Sequence, residues 1–228
     1  MKKEVLKKAF VASVPVLSGY MVIGLSFGVV LQSRGYGPLW SAAMSAFIYA
    51  GSMQFVAVEL MSSAASLFTV ALTTLMVNMR HVFYGLSMVD RYKNTGKARP
   101  YLIFALTDET YSLVCNPPEL PPEDEKSFYI LVSVLDHVYW ILGSFLGSLL
   151  GSVLPFSTEG IDFALTALFV SVFAEQWLST KDHVPALLGL GASVLCLLIF
   201  GADNFLIPSM LLILLGLSLY RKREGARA

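Results

Sequence analysis

The feature that most constrains this chain is the recurrence of apolar runs long enough to cross a bilayer. A membrane-crossing helix needs about 20 mostly apolar residues, since about 30 Å of hydrocarbon is covered at about 1.5 Å per residue. Runs of this kind lie at 11–32, 38–61, 64–89, 127–153, 162–178, 184–200 and 204–220, with a shorter one at 100–115. They predict an all-α polytopic membrane protein with seven or eight membrane elements, some broken or re-entrant. Composition agrees: 56% of the chain is apolar and 14% is charged, against about 45–50% and 25% in soluble domains. There are too few ionisable groups to coat a water-facing surface. The connections are short, the longest polar stretches being 90–99 and 116–126, so residues 1–228 read as a single integral membrane domain.

Charge excludes some functions and poses a question of topology. Lys+Arg and Asp+Glu both number 16, which gives no basic field for nucleic acid. Cys115 and Cys196 have no metal-type spacing, and no nucleotide-binding or cofactor motif is present. An intramembrane hydrolase would need a GxSG or GxGD string, and the sequence has neither. No metal, cofactor or catalytic residue is therefore expected. The opening MKKEVLKK precedes a long run with no small-residue cleavage site, which reads as a retained first span with its basic flank in the cytoplasm. Two further basic clusters, Arg91, Lys93, Lys97 and Arg99, and Arg221, Lys222 and Arg223, prefer the cytoplasm as well. Three full spans between the first two clusters would place them on opposite sides. Either one element is re-entrant or one basic loop faces the wrong way.

A faint internal repeat is visible. Tyr20, Gly24 and Gly28 match Tyr139, Gly143 and Gly147 at an offset of 119. Ala42, Phe47, Gln54 and Phe55 match Ala164, Phe169, Gln176 and Trp177 at an offset of 122. Repeat halves at 10–90 and 127–211 would be a two-repeat architecture of the kind many transporters share.

Hydrophilic side chains deep in a span carry the functional signal, because burial there is costly without a partner or water. Gly51-Ser52-Met53-Gln54 lies near the middle of 38–61. Glycine weakens the helix and serine caps one, so the span can break and restart after Ser52. The new half-helix would aim free N–H groups at the midplane, ready for a carboxylate, with Gln54 beside it. Close packing through small residues is the other reading. Asn78, Arg80 and His81 lie in 64–89. An arginine at that depth costs roughly 2.5–3.5 kcal/mol and must face a cavity or a carboxylate, for binding or as a fixed ion pair.

Asp108-Glu109 in 100–115 add roughly 5–7 kcal/mol to insertion, so this segment must be paired, protonated or re-entrant. Adjacent carboxylates repel, which makes the pair a candidate for proton coupling or an acidic segment at the headgroups. Asp136-His137 and Glu175-Gln176 lie nearer the ends of their runs and read as interfacial.

At these residues the sequence resembles the AzlC family of branched-chain amino-acid permeases. The strings that carry the likeness are FGVVLQSRGYGP at 27–38, AGSMQF at 50–55, VNMRHVFYGLS at 77–87, ALTDETYSL at 105–113 and DFALTALFV at 162–170, running on to EQW at 175–177. Met53 stands where the family pattern has a second serine. The resemblance implies export of valine, leucine and isoleucine across a bacterial cytoplasmic membrane, with a small AzlD-like membrane subunit as partner. It implies substrate binding at Gly51, Ser52, Gln54, Asn78, Arg80 and His81, and coupling or gating at Asp108 and Glu109. On this view the half-helix after Ser52 and Arg80 take the substrate carboxylate. Phe47, Tyr49, Phe55 and Phe83 wall its apolar tail.

Overall fold

The computed structural model describes residues 3–153, 170, 173–174, 177–178, 180–201 and 205–225. They fall into two units, 1–165 and 166–228. Every regular element among the described residues is helical. The first unit contains α1 (Lys3–Ser33), α2 (Pro38–Phe47), α3 (Gly51–Ser62), α4 (Leu67–Val77), α5 (Met79–Tyr92), a 3-10 turn (Gly96–Ala98), α6 (Arg99–Phe104), α7 (Asp108–Cys115) and α8 (Pro122–Val153).

Only α1 and α8 are unbroken helices long and apolar enough to cross a membrane among the described residues. They run parallel. Ser13 Oγ lies 3.2 Å from the Tyr139 hydroxyl, and further along Ser148 donates to Gln32 Oε1 at 3.0 Å. Glycines let the two backbones touch where they cross. A Cβ on Gly24 would stand 3.0 Å from Ser144 N, and one on Gly143 would stand 2.8 Å from Tyr20 O. A Cβ on Gly28 would overlap the Ser144 carbonyl, and one on Gly147 the Leu25 carbonyl. The last two contacts are reciprocal at the offset of 119, because Leu25 stands to Ser144 as Gly28 stands to Gly147. Small residues at a crossing are how membrane helices gain close packing without a hydrophobic driving force.

The three apolar runs between these helices are each broken. α2 runs antiparallel to α8: the Ser41 hydroxyl donates to Ser144 O at 2.8 Å, and Ser45 O lies 3.3 Å from His137 Nε2. The helix stops at Ile48, and Tyr49 turns the chain with a φ of +44°. Such a left-handed residue is strained unless its surroundings hold it. α3 then climbs back, because Gly51 rests on the Trp140 ring and Glu59 pairs with Arg34, just past the end of α1, at 3.3 Å. Thus α2 and α3 form a re-entrant hairpin that returns to the end it came from.

α4 and α5 make one broken crossing, with Asn78 capping both. Met88 and Tyr92 of α5 reach the opposite end, where they pack with Val5, Ala9, Phe128 and Val132. α6 and α7 form a second hairpin, entering from that end. Leu102, Leu106 and Val114 belong to the same cluster as Val5. Phe104 meets His137 edge-on at 5.8 Å, near mid-height. Beyond α7, Glu119 O accepts from Lys8 Nζ at 3.0 Å, back at the start of α1.

With α2–α3 folded back on itself, the described residues of the first two basic clusters lie at the same end of the first unit, where α1 begins. That placement fits the re-entrant alternative. One local expectation is corrected: the helix restarts at Gly51 with Ala50 as its cap residue, and Ser52 sits inside the first turn rather than capping it. Glycine has no side chain to collide with the indole of Trp140, so the turn closes one residue pair earlier.

The second unit contains α9 (Val184–Phe200) and α10 (Leu206–Gly225). They run antiparallel, as the Tyr220 hydroxyl donates to Asp182 Oδ2 at 2.9 Å and Gly216 lies against Leu188. Trp177 stacks on His183 at 4.0 Å. Most of the expected span 162–178, including Glu175, Gln176 and the repeat matches Ala164 and Phe169, lies outside the described residues. So do Lys2 and the side chains of Arg221, Lys222 and Arg223.

Candidate functional site

The three helix breaks converge beside the middle of α8. At the first, Ser52 in the opening turn of α3 accepts a hydrogen bond from Arg80 Nη2 at 3.0 Å. At the second, Arg80 is the second residue of α5, and its Nη1 pairs with Asp108 Oδ2 at 2.8 Å. At the third, Asp108 opens α7 behind Thr107, whose side chain caps the helix by accepting from Thr110 N at 3.3 Å. Carboxylates in a first turn face the positive end of the helix dipole, which favours Asp108 and Glu109 there.

The Arg80–Asp108 pair is neither sealed nor fully wet. The two side chains are 37% and 33% exposed. Arg80 Nε and Asp108 Oδ1 are each buried with no hydrogen-bond partner. A guanidinium has five donors and a carboxylate about four acceptor sites, so the pair retains polar capacity for a further group.

The other expected residues take different places. Gly51 supports the site from below, with any Cβ there only 3.1 Å from the Trp140 ring. Gln54 is fully buried. Its Nε2 donates to Ser45 at 3.2 Å and its Oε1 accepts from Trp140 Nε1 at 2.9 Å. It clasps the two arms of the hairpin together and ties them to α8. The Asn78 carbonyl accepts from His81 N at 2.9 Å, and the His81 ring meets Tyr84 edge-on at 6.0 Å. Glu109 Oε2 accepts from the Tyr20 hydroxyl at 2.8 Å.

Two expectations are corrected. Phe47 and Phe83 are 81% and 53% exposed, while Phe55 is buried edge-on against Phe27 at 5.5 Å. The four aromatic residues therefore do not assemble a wall, because the hairpin reversal turns Phe47 outward. Asp136 is not interfacial. It is fully buried and accepts from the Thr110 hydroxyl at 2.8 Å. Helix α8 begins at Pro122, through the acidic stretch the hydropathy excluded, so Asp136 lies near its middle.

Sequence reading missed Tyr20, Thr107 and Thr110 at this place. Hydroxyl groups in an apolar run leave a weak signal, though Tyr20 stood out in the repeat. Tyr49 stacks on His137 at 4.2 Å. Among the described residues no cluster of His, Cys, Asp and Glu is arranged to hold a metal ion.

Apolar helices interrupted part-way along, with an arginine–carboxylate pair at the interruptions, define a helical membrane protein. The chain belongs to the AzlC family: the family model described as AzlC protein matches residues 15–154. It is 42% identical over 216 residues to the branched-chain amino acid transport protein AzlC of Bacillus subtilis, covering 95% of this chain and 85% of that one. It is 44% identical over 220 residues to an uncharacterized membrane protein of Helicobacter pylori, covering 96% of each. It is 31% identical over 168 residues to the inner membrane protein YgaZ of Escherichia coli, covering 70% of this chain and 68% of that one. No solved structure matches the chain.

Proposed function

We propose that this protein exports branched-chain amino acids such as valine, leucine and isoleucine across the cytoplasmic membrane, working with a small AzlD-like subunit. The substrate class follows the name of the Bacillus subtilis relative. The observation that carries the reading is the half-open Arg80–Asp108 pair, held by Ser52 where three helix breaks meet. A branched-chain amino acid is a zwitterion on an apolar tail. Its carboxylate takes the Arg80 guanidinium, bidentate and charge-assisted. Its ammonium takes the Asp108 carboxylate so released. One ion pair within the protein becomes two with the substrate, which removes no charge from a partner. Ser52 and the first N–H groups of α3, at the positive end of that half-helix, assist at the carboxylate. Gly51 and Gln54 shape this turn, and Asn78 and His81 position Arg80.

Export against a gradient needs an energy source, and the chain has no nucleotide motif. Proton or membrane-potential coupling then falls to Asp108 and Glu109, which also gate. The reciprocal glycine crossing of α1 and α8 supports the halves 10–90 and 127–211 as structural repeats. Alternating access rocks one against the other. The reading is tested by overexpression in cells challenged with a toxic leucine analogue. Wild type confers resistance and Arg80→Ala does not. Equal sensitivity with and without the wild-type protein, expressed with its partner, overturns it.

A further inference from the structure

Beyond the ion pair, the fold contains a buried carboxyl group that substrate binding does not use. Asp136 is fully inside the protein at mid-length of α8. Its Oδ2 accepts from Thr110, and its Oδ1 is buried without a partner. Among the described residues no lysine or arginine forms an ion pair with it. An ionised carboxylate so placed is costly, whereas the neutral acid is far less so.

A continuous file of hydroxyl groups leads from it toward the site. Thr110 Oγ1 is 3.2 Å from Thr107 Oγ1. Thr107 Oγ1 is 2.7 Å from the Tyr20 hydroxyl, and that hydroxyl is 2.8 Å from Glu109 Oε2. Glu109 adjoins Asp108 and is only partly buried. The file therefore joins a sealed carboxyl to one at the edge of the Arg80 site.

We infer that Asp136 is a third carboxyl in the proton coupling assigned to Asp108 and Glu109, holding a proton inside the protein and exchanging it with Glu109 through Thr110, Thr107 and Tyr20. The inference rests on the exporter reading for its role in transport. The transfer balances simply. Asp136 gives its proton to Thr110, which gives its own to Thr107, Thr107 to Tyr20, and Tyr20 to Glu109. Each hydroxyl gains one proton and loses one, Asp136 ends ionised and Glu109 neutral, and no other bond changes. The hydroxyl hydrogens rotate to serve either direction.

The groups facing Asp136 leave it few other outlets. Tyr49 from the first hairpin, Tyr101 from α6 and Glu109 from α7 face it, and Tyr20 from α1 reaches it through Thr107 and Thr110. His137, its neighbour on α8, is already engaged: its Nδ1 lies 3.2 Å from the Tyr101 hydroxyl and its Nε2 3.3 Å from Ser45 O. The Tyr49 hydroxyl is buried without a partner. A negative charge arriving on Asp136 finds it within the same pocket of hydroxyls. The three helix breaks that frame this file also frame the substrate ion pair, so moving the proton alters the charge beside Asp108 and couples the two.

Two measurements test this. In infrared difference spectra of the purified protein, wild type shows a protonated-carboxyl band that titrates, and Asp136→Asn lacks it. In inside-out vesicles, Asp136→Asn loses valine accumulation driven by an acid interior, while exchange of labelled for unlabelled valine without a gradient persists. Thr110→Val, which keeps the carboxyl and cuts the file, gives the same split. Gradient-driven accumulation at the wild-type level in both variants overturns the inference, as does an unchanged band in Asp136→Asn. If wild type moves no valine in either mode, the exporter reading fails, and the infrared arm still decides whether Asp136 holds the proton.

Discussion

Replacing the crossing glycines one at a time gives a graded stability series. A Cβ on Gly28 would overlap backbone atoms of Ser144 and Ser148 on the facing helix. Neither neighbour is a flexible side-chain end, so α1 and α8 must separate. Overpacking of this kind costs typically about 1–3 kcal/mol, and two rigid backbones place Gly28→Ala near the top of that range. On Gly24 the nearest backbone atoms are 3.0 and 3.1 Å away. A shift of a few tenths of an ångström accommodates the methyl group, for about 1 kcal/mol. Gly19, on the same helix, has nothing within 4 Å. Gly19→Ala is neutral, or stabilising by up to about 1 kcal/mol through helix propensity. At this chain length 1 kcal/mol moves a melting temperature by about 2–4 °C, which puts Gly28→Ala about 6–16 °C below Gly19→Ala. The assay is tryptophan fluorescence during thermal melting in detergent, with buried Trp140 as reporter. Equal melting temperatures for the Gly19 and Gly28 variants would refute the close crossing of α1 and α8.

Other predictions follow from the same geometry. Trp140→Phe removes the donor to Gln54 Oε1 and leaves that oxygen buried without a partner, lowering stability by about 1–3 kcal/mol. A melting temperature equal to wild type would show that the Gln54 clasp contributes nothing. In a background with Cys115 and Cys196 replaced by alanine, single cysteines at Lys7, Asn94 and Glu119 label from one side of the membrane, and one at Ala64 labels from the other. Labelling of position 94 from the side that labels 64 would mean that α2–α3 crosses fully.

The sequence carried much of this fold and less of its site. The long apolar runs marked α1 and α8, and the run 184–200 matched α9 at both ends. Gly51 announced the break in the second run, and the placement of the basic clusters called for either a re-entrant element or a basic loop facing the wrong way. The direction of the chain after the break was not legible, because hydropathy has no sense of up or down. For that reason Phe47 was expected inside and is found outside. Arg80 and Asp108 were each flagged by the cost of burying charge, and their pairing was foreseen as a partner to be found. Asp136 was misplaced because the hydropathy window began after the acidic residues at 123–125, which the helix includes. Tyr20, Thr107 and Thr110 bear hydroxyls, which burial penalises too little to stand out in a sequence.

The account rests on Arg80 meeting a substrate carboxylate within the membrane. The most direct measurement is counterflow of labelled valine into preloaded proteoliposomes, comparing wild type with Arg80→Ala at equal protein abundance and with the proposed partner subunit present. A lost hydrogen bond to a charged group is about 1.5–3 kcal/mol, so the variant rate falls by about tenfold to a hundredfold. A rate equal to wild type would mean that valine crosses without touching this arginine, and the ion pair with Asp108 would be architecture alone.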